Sequence, residues 1–457
     1  MAFADWRCFL RIQLSEHFTF KKLLLFVAPS VVMMVFTNIY TVVDGLFIAR
    51  YVGGTAVAAI NYVFPFIFIL GSVGFMLGAG GSALVSKTLG EGDKERANAY
   101  FSMLVYVTVG VGFVIAVTGA LCVPYIVELL GVDGLTYEYC VLYGRVLLAS
   151  QPLFILQNIF QSFFVTAEKP KLGLVITACA GLTNIILDAV FVAGFGWGLA
   201  GAAAATVAGQ VVGGVIPVIY FACRNGSLLR LTATKLYFGA LFKSCANGSS
   251  EFLSNVAAAV VTIVYNHQLR TLVGDAGVTA YGTIMYVVMV FYSVLMGYAI
   301  GSAPLIGYHY GAENKDELRN LFCKSLLIIS VAGLAMTAVS EGLAAPFISI
   351  FGYEEELFDM SLRGFRIYSV AFLITGFNVF ASSMFTALNN GLVSGILAFG
   401  RTLVFQIVSV LVFPLFWQLD GVWSAIIFAE FFSLVLSAAF TLSFGQKYGY
   451  MGRKKVL

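Results

Sequence analysis

Charge is what this chain has least of. Asp, Glu, Lys and Arg make up 11% of its 457 residues, whereas a soluble domain carries roughly 25%. That scarcity excludes a soluble globular protein. Histidine is nearly absent, with three in all, and the three do not cluster, so no catalytic or metal site is built on them. Seven cysteines (Cys8, Cys122, Cys140, Cys179, Cys223, Cys245 and Cys323) stand singly with no C-x-x-C. They form neither a disulfide frame nor a metal site and read as small apolar filler. No G-x-x-x-x-G-K-[ST] appears, which excludes ATP as the driving force. The polar start MAFADWRCFLRIQLSEHFTFKK has no short apolar core with a cleavage site, so no cleavable signal peptide is expected. Short alternating segments of a membrane β-barrel are missing too.

Apolar sequence fills the space. Hydrophobic residues are 60% of the chain and the mean hydropathy is +0.93. Runs of about 20 apolar residues, the length that spans a bilayer, recur from end to end. Breaking them at charges and at Gly/Pro punctuation predicts twelve spans: 22–48, 55–86, 98–123, 138–166, 172–193, 201–222, 241–271, 276–309, 319–341, 358–387, 392–417 and 421–445. Pro29, Pro65, Pro152, Pro217, Pro304 and Pro414 lie within or at the ends of spans, where proline kinks helices. With both ends of the chain on one side, that side holds 20 of the 26 Lys and Arg. The other side holds five (Arg50, Arg145, Arg270, Arg363 and Arg366), and Arg401 lies mid-span. The positive-inside rule then predicts cytoplasmic termini.

The chain is also written twice. Shifted by 220 residues, QNIFQSFFVTA (157–167) falls on FNVFASSMFTA (377–387), and GLAGAAAATVAGQ (198–210) on QLDGVWSAIIFAE (418–430). GGSALVSKTLGEGDKE (80–95) matches IGSAPLIGYHYGAENKDE (300–317), one residue longer between the glycines, and YVGG (51–54) falls on TLVG (271–274). Six spans per repeat is an even number, so both halves start on the same side. The predicted fold is all-α and membrane-integral: twelve helices in two six-helix lobes related by a pseudo-two-fold axis along the membrane normal. The expected limits are 1–222 for the first lobe, 223–240 for a basic cytoplasmic linker, 241–445 for the second lobe and 446–457 for a cytoplasmic tail. Parallel repeats of this kind are common in transporters that alternate access by rocking. A channel needs no duplication. A membrane enzyme needs a His/Asp or metal constellation near an interface, and none is visible.

Acids well inside the spans are few: Asp44, Asp188, Glu251 and Glu430. A carboxylate in hydrocarbon costs on the order of 2.5–3.5 kcal/mol even on lenient scales, so each needs a reason. Asp44, Asp188 and Thr206 fall at one depth, in the outer part of the first lobe. Tyr40 and Asn184 stand four residues before the two aspartates, hence on the same helix faces. These five residues are expected to form one polar chamber. Its two carboxylates cannot both stay charged and unpaired in a low dielectric, so the chamber can take a proton. With the amide and hydroxyl oxygens it can instead hold Na⁺. Shifted by 220, Tyr40, Asp44, Asn184 and Asp188 become Val260, Val264, Val404 and Val408. A purely architectural role would be needed in both halves, so the asymmetry favours function. Arg401 and Glu430 both fall near the membrane centre and are expected to pair as a structural ion pair. Glu251 is a second-lobe contact for ion or substrate, or is solvated on the cytoplasmic side. His309 is expected at the interface.

Four stretches resemble the MATE (multidrug and toxic compound extrusion) family. They are VVDGLFIARYVGGTAVAAIN (42–61), GAGGSALVSKTLGEGDKERA (78–97), NIILDAVFVAGFGWGLAGAAAAT (184–206) and GSAPLIGYHYGAENKDELR (301–319). The likeness spans essentially the whole chain and is nearest to the prokaryotic DinF-like and MepA-like branches. It implies a secondary antiporter, not an enzyme. Such a protein exports organic cations, drugs or amphiphilic metabolites in exchange for H⁺ or Na⁺ and needs no cofactor. It implies cation coupling at the positions of Tyr40, Asp44, Asn184, Asp188 and Thr206. A second-lobe Na⁺ site of another branch pairs a Glu on span 7, matched by Glu251, with an Asp on span 10 that this chain lacks. The expected partners are small amphiphilic or cationic substrates and the lipid bilayer, with no nucleic acid. The expected setting is a monomer in a prokaryotic plasma membrane. A lipid or lipid-linked oligosaccharide flippase of the same superfamily is the alternative, disfavoured because Arg401 is the one clearly mid-span base.

Overall fold

The computed structural model describes residues 12–451; Cys8 and the outermost parts of the expected first lobe and tail lie outside them. Among the described residues twelve helical rods follow one another. They are α1 (Phe20–Tyr51), α2 (Gly54–Gly90), α3 (Lys94–Leu129), α4 (Gly134–Ala149 then Gln151–Thr166), α5 (Pro170–Gly194) and α6 (Gly198–Ala222). The second series is α7 (Phe238–Val273), α8 (Asp275–Gly311), α9 (Lys315–Gly342), α10 (Glu355–Ser369 then Phe372–Ala387), α11 (Gly391–Val412) and α12 (Pro414–Tyr448). A short helix, Ala344–Ser349, precedes α10. Among the described residues nine rods are long and apolar enough to cross a membrane alone, and the two bent ones bring this to eleven. The twelfth is α7, whose first half carries Lys243, Asn247, Ser249, Ser250, Glu251 and Asn255.

The duplication is visible in the backbone. The halves of α4 meet at 54° and those of α10 at 52°. Pro152 punctuates the first bend; the second, at Val370–Ala371, has no proline. Left-handed residues recur 221 positions apart: Gly53 and Gly274, Gly131 and Gly352, Glu168 and Asn389. Asp93 caps α3 by accepting from Arg96 N, and Asn314 caps α9 by accepting from Glu317 N. Each cap satisfies an orphan amide at the helix start. α12 is kinked near its start at Trp417 and Gln418, where the backbone leaves helical geometry.

α1–α6 pack together, as do α7–α12, and the lobes touch chiefly through α1 on α8 and α2 on α7. These two contacts are the same contact seen twice under the pseudo-two-fold. The closest approach is glycine on glycine: a Cβ at Gly80 would collide with the Ser244 carbonyl, and one at Gly248 with the Met76 carbonyl. Gly297 and Gly301 of α8 approach Val31 and Val27 of α1 in the same way. All these approaches lie in the half of the molecule that holds the described termini. Leu14, Phe18, Tyr448 and Tyr450 share one buried cluster there, so both described ends lie on one side, as an even number of spans requires.

Candidate functional site

The first-lobe chamber is built on α1 and α5, which pack against each other and against α6. Small residues let them approach. A Cβ on Gly181 would press on the Tyr40 and Phe36 rings, and one on Gly209 would sit 3.0 Å from the Ala180 carbonyl and 3.2 Å from Asn184 Cβ. The Asp44 carboxyl therefore faces both Asp188 and Asn184. Asp188 is 0% exposed and Asn184 is 4% exposed. Asp44 is half-buried.

None of these groups is quenched by the protein. Both carboxyl oxygens of Asp188, both polar atoms of Asn184 and Oδ1 of Asp44 make no hydrogen bond of good geometry, and what the Asp44 carboxyl has beside it is the Asp188 carboxyl and the Asn184 amide. Among the described residues neither acid is in an ion pair. A buried polar group with no partner costs about 1–3 kcal/mol, and more when charged. Oxygen donors left in that condition suit a proton or a hard cation. The backbone next to them is also irregular: α5 passes from α-helix to a π-helical turn, Ala189–Gly194, immediately after Asp188. Such turns often mark functional positions.

The other expected members are placed less uniformly. Tyr40 lies beside Asp44 and its hydroxyl accepts from Gln157 Nε2 at 3.4 Å. Thr206 is half-buried on α6, and its hydroxyl donates to its own helix at the Ala202 carbonyl (3.0 Å) rather than to an acid. Sequence reasoning missed Gln157 of α4, which is 7% exposed. It also missed Tyr143, whose buried ring lies near both carboxylates. The signal available was a glutamine inside an apolar run, four residues before Gln161.

The second lobe is organised differently. Arg401 Nε lies 2.9 Å from Glu430 Oε1. Asn378 Nδ2 donates to Glu430 Oε2 at 2.6 Å and to the Glu430 carbonyl at 2.9 Å. One carboxylate thus ties α10, α11 and α12 together. Arg401 also lies over the Tyr292 ring at 5.6 Å and sits in a second π-helical turn, Gly400–Phe405. Glu251 is half-buried on α7, and its nearest charge is Arg401. His309 is corrected from an interfacial residue to a buried one, 1% exposed. The residues before α1 fold back over it, which hydropathy does not register.

Comparison with known proteins agrees with this architecture. The MatE family model matches the chain twice, over residues 29–190 and 250–412, one match per lobe. The multidrug export protein MepA of Staphylococcus haemolyticus is 24% identical over 419 residues, covering 90% of this chain and 91% of that one. MepA of Staphylococcus aureus is 23% identical over 414 residues, covering 89% and 90%. An outward-facing multidrug resistance MATE transporter of the MOP superfamily superposes with a TM-score of 0.90 at 22% identity, over 96% of this chain and 98% of that one. A MOP superfamily transporter from Pyrococcus furiosus superposes at 0.89 with 22% identity, over 95% and 97%. With the family model covering most of both lobes, the chain belongs to the MatE family of multi-pass membrane transporters.

Proposed function

We propose that this protein is a secondary antiporter that exports organic cations, drugs or amphiphilic metabolites in exchange for H⁺ or Na⁺. The observation that carries this reading is the pair of mutually facing carboxyls in one lobe, buried Asp188 and half-buried Asp44, with no ion pair to either among the described residues. Asp44, Asp188, Asn184, Tyr40 and Thr206 form the coupling site; Na⁺, where it is the ion, takes its oxygens from Asp44, Asn184, Asp188 and Thr206. A carboxylate pair binds a cation only when it is reachable, and the lobes meet on the side of the described termini. The ion therefore enters from the opposite, outer side, favours release of substrate there, and is delivered inside when the lobes rock over. The lobes are residues 1–222 and 241–445, joined by the linker 223–240 and followed by the tail 446–457. The excess of Lys and Arg on the terminus side supports a cytoplasmic position for both termini. The MepA relatives support multidrug efflux as the activity and a bacterial plasma membrane as the setting, with the chain acting as a monomer.

Glu251 is a second-lobe contact for substrate or ion, and the Arg401–Glu430 pair is structural. Export is favoured over lipid flipping because the one mid-span base, Arg401, is already neutralised by Glu430. The test is efflux of a fluorescent cation from proteoliposomes under an imposed pH gradient or an imposed Na⁺ gradient. Wild type should respond to one gradient, which names the ion. Asp188→Asn should respond to neither while remaining folded. Equal transport by both proteins would reduce the acid to a structural part.

A further inference from the structure

We propose that residues 12–18 are a latch that holds the terminus side of the molecule shut and must release in each transport cycle. The proposal rests on the alternating-access reading above. This segment leads into α1, a first-lobe helix, where Glu16 pairs with Lys22, yet its last two residues make their long-range polar contacts on α9 of the second lobe. His17 Nδ1 lies 2.6 Å from Glu317 Oε2, and Phe18 N donates to Glu317 Oε1 at 2.9 Å. The Phe18 carbonyl accepts from Asn320 Nδ2 at 3.0 Å and from Lys324 Nζ at 2.5 Å. In the other direction Leu14 N donates to Glu168 Oε1 at 2.7 Å, and Glu168 lies in the first-lobe turn between α4 and α5. Seven residues thus bridge a turn of one lobe and a helix of the other.

The bridge is buried. Leu14 and Phe18 are 0% exposed and join a cluster holding Val165 from the first lobe and Leu318, Leu321 and Phe322 from α9. Glu317 is 5% exposed, so its bond from Phe18 N is charge-assisted and buried, the stronger kind, while its contact with His17 is open to water on the histidine side. His309 lies directly beneath, facing the backbone of Leu14 and Glu16. Opening the terminus side separates α9 from the α4–α5 turn, and the segment cannot follow both.

The pseudo-two-fold sharpens the point. The linker before α7 lies along α3 of the first lobe: Arg230 N donates to Asn98 Oδ1 and Thr232 N to Ser102 Oγ, both at 2.8 Å. The leading segment of each lobe therefore crosses to the third helix of the other lobe. The linker is held on the first lobe by its covalent continuity with α6. The segment before α1 has no such tie to the second lobe, so only its own contacts hold it there, and they add to the helix contacts that opening this face must break.

The experiment measures the distance between spin labels at Lys171→Cys in the first lobe and Gln446→Cys in the second, both exposed on the terminus side, in full-length protein with native cysteines replaced. Glu317→Gln weakens the acceptor of three bonds and should lower the closed-to-open ratio about tenfold. His17→Ala, at a side chain 68% exposed, leaves folding intact and should shift the ratio the same way by a smaller factor. An unchanged distance distribution in both variants overturns the latch. The distance needs neither substrate nor ion: a shift in a protein that exports nothing would keep the latch and sink the export reading.

Discussion

Asp188→Asn should cost transport and gain stability. Asp188 is 0% exposed with both carboxyl oxygens unpartnered. When ionised, such a group costs on the order of 2.5–3.5 kcal/mol, even on lenient insertion scales. The asparagine that replaces it keeps the shape and loses the charge, but leaves an amide with no partner, at about 1–3 kcal/mol. The charge term wins, and the net gain is about 1–2 kcal/mol. In a chain of this length that is a rise of a few °C at most in the apparent Tm, since larger proteins shift less per kcal/mol. The assay is thermal denaturation at pH 8 in Na⁺-free buffer, with wild type, Asp44→Asn, Asp188→Asn and the double variant side by side. Either single change relieves the repulsion between the acids, so the second adds less than the first. A binding site is a place where stability is given up for function. The reasoning is refuted if Asp188→Asn melts below wild type while still coupling efflux to an ion gradient, because the acid would then be holding helices together.

Other consequences are as definite. If Na⁺ is the coupling ion, it should raise the Tm of wild type saturably, by about 2.7 kcal/mol of added stability at 100 times its Kd, and leave Asp188→Asn unmoved; no response together with pH-driven efflux would assign H⁺. Glu430→Ala leaves Arg401 charged and unpaired at the junction of α10, α11 and α12 and should cost about 3–5 kcal/mol, read as lost thermal stability and yield. Replacing Arg401 and Glu430 together by leucine should restore most of it, and a double variant as crippled as the single one would show that the pair does more than neutralise itself. Gly209→Val places methyls against the Ala180 carbonyl and Asn184 and should cost about 1–3 kcal/mol by overpacking. Its ion response should weaken with it, and an unaltered response would separate Asn184 from the site.

Different parts of this molecule were written with different clarity. The spans were legible because bilayer thickness fixes their length, and α7 was found only because charges bracket it; its polar first half hides it from hydropathy alone. The bend in α4 had Pro152 to announce it, while the equal bend in α10 at Val370–Ala371 had nothing. Asp44 and Asp188 could be matched in depth by counting from span ends. Their facing each other depends on Gly181 and Gly209 letting α1 and α6 close on α5, a three-dimensional fact with no local signature. Gln157 and Tyr143 were missed for the same reason: amides and phenols recur throughout the chain, and only helix approach selects these two. The burial of His309 follows from the fold-back of residues 12–18, a non-local contact across 300 positions.

The two lobes share a backbone and differ in how they answer the cost of buried charge. Position 401 carries the arginine, which the 221-residue offset of the turns leading into α5 and α11 matches to Ala180, and Glu430 neutralises it. The second lobe thus closes its own account of charge within α11 and α12, and Asn378 of α10 completes it. The first lobe has an alanine where that arginine would stand, and among the described residues no base pairs with Asp44 or Asp188. In the proposed antiporter this difference divides the labour of the duplication: the second copy neutralises its buried charge and keeps the packing, while the first keeps two carboxyls free of any ion pair and so able to exchange a cation.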